Sequence, residues 1–176
     1  MELNYGMSLE QKQQLSQNQI QSLEVLAMDS VESDEIIVQR AGMSINDIFD
    51  HYGEAHFRDM ESQVLKDLGV CHQTVISCGG GAVLRPQNVE TLRQHSRIVL
   101  LTASPETILS RVKDNDDRPK LRGKKNVRDI AAMMAVREPA YIAAADVIVN
   151  TDNKSVLQIC EEIITRPIAF GKGQNA

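Results

Sequence analysis

Tryptophan is absent from this 176-residue chain and aromatic residues make up only 3% of it. Stacking platforms for bases or sugars are therefore scarce. Positive charge is also in short supply: the formal net charge is −5, which argues against a footprint along a phosphate backbone and against direct binding of nucleic acid. The three cysteines, Cys71, Cys78 and Cys160, are odd in number and have no CxxC spacing, which leaves neither a disulfide framework nor a zinc site and fits a reducing cytoplasm. No apolar run approaches the roughly 18 residues that a membrane span needs. The opening MELNYGMSLEQKQQ lacks the basic-then-apolar order of a signal peptide. A cytoplasmic protein without a membrane segment is the expectation.

What remains is an ordinary globular composition, 42% apolar and 24% charged, in a length that suits one well-buried core. Residues 1–30 differ in texture from the rest. Six glutamines lie between Gln11 and Gln21, while Leu9, Leu15, Ile20, Leu23 and Leu26 form a sparse apolar pattern at helical spacing behind a capping-box signal at Ser8 and Gln11. A docking helix and a polar arm both fit this stretch. Residues 31–176 form the second unit. There, Asp34 to Val38 starts a helix that Gly42 ends, and Ser44 caps another that Gly53 breaks. A third helix runs from Ala55 to Leu68. Val75 and Ile76 read as a buried strand closing on Gly79, Gly80 and Gly81, where a bare backbone can take positive φ and admit a ligand closely. Further strands are expected at Arg97–Thr102 and Asp146–Thr151, separated and followed by helices over 85–95, 106–112, 129–144 and 155–165. Strands alternating with helices predict an α/β fold, a parallel sheet with helices on both faces, with ligands at the carboxyl ends of the strands.

The candidate chemistry lies in Asp34, the GEAHFR hexapeptide holding Arg58, the triple glycine, Arg118 in a charged loop over 113–125, and Arg137 in REPAY. Each has a plain alternative: Asp34 as a helix cap, Arg58 and Arg137 as surface partners of Glu54 and Glu138, and Arg118 as one more solvated charge. Taken with the SINDIF run, the DRP tripeptide at Asp117 and the DVIVNT strand, their order resembles the shikimate kinases over about residues 31–165. The resemblance implies a P-loop kinase fold of the nucleoside-monophosphate-kinase type and transfer of the γ-phosphate of ATP, with Mg²⁺, to the 3-hydroxyl of shikimate. It also implies that Asp34 meets the substrate hydroxyls, that Arg58 and Arg137 clamp the carboxylate, that Gly79, Gly80 and Gly81 present backbone to the ring, and that Arg118 reaches the ATP phosphates.

The family pattern begins with a strand and a GxxxxGK[ST] loop that holds the phosphates. No such motif occurs in this sequence; GKK at Gly123 and GKG at Gly171 lack the upstream glycine. Glu32 stands where the family has a metal-side Asp, and is the weak candidate for a metal contact. In the family the phosphate-loop strand lies between the strand leading to the triple glycine and the RIVLLT strand, so the sheet is expected to have a central gap. Phosphoryl transfer is expected to be impaired or lost. Residues 1–30 instead resemble the amino-terminal region of the RNA polymerase sigma-54 factor, which implies a contact with RNA polymerase.

Overall fold

A computed structural model of the chain describes residues 29–112 and 126–166. The leader up to residue 28, the charged loop with Arg118, and any polymerase contact made through the leader lie outside the described residues.

The chain enters on strand β1, Asp29–Glu32, followed by helix α1, Ser33–Ala41, and the long kinked α2, Ile45–Leu68. Strand β2, Thr74–Ser77, leads through the triple glycine into a 3₁₀ turn at Ala82–Leu84 and helix α3, Pro86–His95. Then come β3, Val99–Thr102, α4, Pro105–Val112, α5, Val127–Ala144, β4, Val147–Asn150, and α6, Val156–Thr165. Both strand pairs are parallel, as the β–helix–β alternation requires. β1 lies beside β2 with Val31 opposite Ile76, and β3 beside β4 with Leu101 opposite Val149.

Local chemistry explains most boundaries. The Ser44 hydroxyl accepts from the Asp47 N–H at 3.1 Å and opens α2. Gly42, at φ 65°, closes α1 in the left-handed conformation, its N–H donating to the Val38 carbonyl. Gly53, at φ 80°, kinks α2 where two separate helices were expected, so both helices form and run on as one element. Asn126 caps α5 through the Asp129 N–H, and Ser155 and Gln158 form a reciprocal capping box on α6.

One expectation changes and the expected gap in the sheet is found among the described residues. Strand β1 was not foreseen: Asp29, Ser30 and Glu32 are poor strand formers, and the segment is extended because the β2 backbone offers it a partner. The four strands also form two separate two-stranded ladders, β1–β2 and β3–β4. Among the described residues, nothing pairs with the second edge of β2 or of β3. Val75 and Leu101 remain 41% and 56% exposed, unusual for parallel strands, which are ordinarily covered on both faces.

Two apolar clusters hold the first half together. The larger gathers Ile37, Ile48, Phe57, Val64 and Leu68, and the smaller Leu65, Ala82 and Leu92; Ile76 packs against both. In the second half the buried apolar residues are Ile130, Ala144, Val147, Val149 and Cys160. Arg93 crosses between the halves, donating to the carbonyls of Ala143 and Ala144 at the end of α5. No helix among the described residues is long and apolar enough to cross a membrane.

Ile37 is fully buried at the centre of the larger cluster. Ile37→Ala is expected to lower the unfolding free energy by about 2–5 kcal/mol, read as a shift of the urea midpoint at constant slope, whereas Ile142→Ala on the surface should change it by less than about 0.5 kcal/mol.

Candidate functional site

Three glycines after a strand set the site, and the reason for them is space rather than backbone freedom. None of Gly79, Gly80 and Gly81 adopts positive φ; among the described glycines only Gly42 and Gly53 do. The bend closes on itself through the Ala82 N–H donating to the Gly79 carbonyl at 3.0 Å and the Leu84 N–H to Gly81 at 3.1 Å. Buried Asn88 on α3 pins it by donating to the Ala82 carbonyl at 2.8 Å.

Each glycine lies against a functional side chain. A Cβ on Gly79 would sit 3.7 Å from both Asp34 carboxylate oxygens and from Glu61 Oε1, and one on Gly80 would sit 2.7 Å from the Tyr141 hydroxyl. A Cβ on Gly81 would overlap the Arg58 guanidinium. Arg137 joins the group one helical turn before Tyr141, reaching its hydroxyl at 3.4 Å. The bend therefore collects Asp34 from α1, Arg58 and Glu61 from α2, and Arg137 and Tyr141 from α5.

Asp34 is not a helix cap. The cap position of α1 is Glu32, which makes no capping hydrogen bond with its side chain, and Asp34 follows in the first turn, where the helix dipole favours a carboxylate. Arg58 does pair with Glu54, at 3.3 Å, but its shorter bond, 2.8 Å, goes to Glu61. Its guanidinium carbon also lies 5.2 Å from the centre of the Phe57 ring. Arg58 thus has one arm held inward while its partner Glu54 lies toward solvent.

Glu61 was missed in the sequence. It is fully buried, and its Oε1 has no hydrogen-bond partner. Burial pushes its carboxyl above the ordinary 4.5, against the pull of Arg58, with Asp34 adding to the rise. A signal was present: Phe57, Glu61, Val64, Leu65 and Leu68 share one helix face, and a carboxylate at a core position on such a face calls for a partner. Cys78 reaches the surface, yet partial desolvation at the bend and the neighbouring Glu61 and Asp34 carboxylates push its thiol up to about 11, so a thiolate nucleophile there is disfavoured.

The described residues do not build a magnesium–nucleotide site. Among the described residues no three His, Cys, Asp or Glu side chains come together to hold a metal ion, which leaves Glu32 alone at the end of β1. The sequence contains no GxxxxGK[ST] loop. No reaction step through the nucleotide follows from these residues.

Two outcomes test the packing. Gly81→Ala should cost about 1–3 kcal/mol by forcing Arg58 aside, while Gly79→Ala, with ordinary contact distances and no positive φ, should stay within about 0.5 kcal/mol; thermal unfolding compares them. Because Glu61 holds its proton more tightly in the folded chain than in the unfolded one, the wild type loses stability as pH rises from 4.5 through the raised value. Glu61→Gln removes that loss, so its unfolding free energy relative to wild type should increase as pH rises above the ordinary 4.5 in urea titrations.

Comparisons with known proteins identify the family. The family description "Shikimate kinase" matches residues 22–167. The shikimate kinase of Geobacter sulfurreducens is 46% identical over 132 residues, covering 75% of this chain and 72% of that protein. That of Dehalococcoides mccartyi is 39% identical over 140 residues, 80% and 79% of the two chains. Among solved structures, Acinetobacter baumannii shikimate kinase in complex with shikimate superposes with a TM-score of 0.75 at 27% identity, over 85% of this chain and 83% of that one. The Aquifex aeolicus enzyme gives 0.65 at 32% identity, over 83% and 86%. The parallel α/β fold is thus the P-loop kinase fold expected from the sequence, and the chain belongs to the shikimate kinase family of ATP-dependent small-molecule kinases.

Proposed function

We propose that this chain binds shikimate at the glycine bend and, as written, transfers phosphate to it poorly or not at all. The observation that carries the first half is the convergence of Asp34, Arg58 and Arg137 on Gly79–Gly81 from three different helices. Two guanidinium groups suit a planar carboxylate, whose two oxygens each accept from an N–H. Asp34 accepts from ring hydroxyls at the same bend, and the backbone of the three glycines lets the ring lie close. Glu61 positions Arg58 rather than touching the ligand. Arg118 is assigned to the ATP phosphates, and residues 1–30 to a helical leader preceding the kinase-like unit.

The second half rests on the missing GxxxxGK[ST] loop and on the absence, among the described residues, of any cluster of three His, Cys, Asp or Glu side chains that could hold a metal ion. Positioning and charge neutralisation of the phosphates are nearly the whole of phosphoryl transfer.

Calorimetric titration with shikimate tests the binding. Heat with a saturable isotherm is expected, with Arg58→Ala and Arg137→Ala each weakening it by about tenfold or more, the loss of a charge-assisted hydrogen bond. No heat would end the proposal of a binding site. A coupled assay with ATP, Mg²⁺ and shikimate should give no ADP above background; turnover at about 1–100 s⁻¹, the ordinary kinase range, would refute the proposed impairment and leave the binding site standing.

A further inference from the structure

The two arginines of the site are held in different ways. Arg58 is gripped by two carboxylates, Glu61 and Glu54, which offset part of its charge. Among the described residues Arg137 pairs with no carboxylate; its hydrogen-bond partner is the Tyr141 hydroxyl, which accepts from Nη1 at 3.4 Å one turn further along α5. Adjacent Glu138 is exposed and lies about 100° further round the helix. The hydroxyl is itself fixed. A Cβ on Gly80 would come within 2.7 Å of it and within 3.6 Å of the ring carbon that bears it, so the hydroxyl rests on the bare glycine. Tyr141 is half-buried, with only two side-chain torsions to turn about, and the bend beneath it is pinned by Asn88. A chain of contacts therefore runs from the end of β2 through Gly80 and Tyr141 to Arg137.

We infer that Tyr141 is a positioning residue: seated on Gly80, its hydroxyl directs the Arg137 guanidinium at the carboxylate of the ligand bound at the bend. The inference rests on the binding site proposed above. A neutral hydroxyl suits this task better than a carboxylate. It orients one N–H and leaves the positive charge for the ligand, whereas Asp or Glu at the same place would compete with the ligand for the guanidinium fork. The arginines then divide the work. Arg58, with its buried counter-charge Glu61, supplies a fixed direction, and Arg137 supplies charge that no carboxylate among the described residues offsets.

Calorimetric titration of the full chain with shikimate tests this. Tyr141→Phe keeps the ring and removes only the hydroxyl, and is expected to bind about threefold or more weakly than wild type. Added to Arg137→Ala and titrated at raised shikimate concentration, the same change should alter the affinity by less than about threefold, because a residue that acts through Arg137 then has nothing to act on. NMR of the unliganded full chain with isotope-labelled arginine gives a second reading: the Arg137 Nη signals, assigned by their loss in Arg137→Ala, should move in Tyr141→Phe. A smaller loss of affinity in Tyr141→Phe overturns the inference and leaves the binding site standing. A loss of about threefold or more in the Arg137→Ala background also overturns it, since the hydroxyl then acts on the ligand or the fold directly, and so do Nη signals that stay in place. Absence of heat with the unaltered chain ends the binding site and this inference together.

Discussion

The contact on which the site depends is the Arg58 guanidinium lying flush against Gly81 with the buried Glu61 carboxylate behind it. Any side chain at residue 81 would expel the guanidinium, and any uncharged residue at 61 would leave its inward arm without a counter-charge. Buried ion pairs add little net stability, because desolvation of both charges offsets their attraction. What this pair supplies is direction: one arm of the fork is fixed inward on α2. The same contact joins α2 to the end of β2 and to the 3₁₀ turn, so the geometry of the site and the packing of the first half of the molecule rest on the same residues.

That dependence matters because the framework is divided. Two parallel ladders of two strands each do not form one sheet among the described residues, and parallel pairs draw their stability from helices packed over them rather than from the ladder itself. The halves are joined instead by α5, whose carboxyl end is tied to α3 through Arg93. Tyr141 and Arg137 sit on this joining helix, so the far side of the glycine bend is only as well placed as α5 is.

Much of this was legible in the residues. Ser44, Gly42 and Gly53 announced their caps and kink by chemistry that acts within a few residues, and the triple glycine marked the bend. Asp34, Arg58 and Arg137 could be picked out only together, since each alone fits a surface role. Glu61 stands at a core position of a helix face, and Arg58, three residues before it, lies at pairing distance on the same helix; the burial of the pair was not legible, because it follows only once the bend has closed over both.

The sequence by itself determined the helices, their ends and the small-residue bend, because these follow from hydrogen bonds and φ preferences set by near neighbours. Only the tertiary structure decided that Asp29–Glu32 is a strand and that Glu61, beside Arg58, is buried deeply enough to hold its proton more tightly. Both outcomes depend on which backbone edge or which packed surface comes to lie opposite from far along the chain, and local chemistry carries no information about that partner.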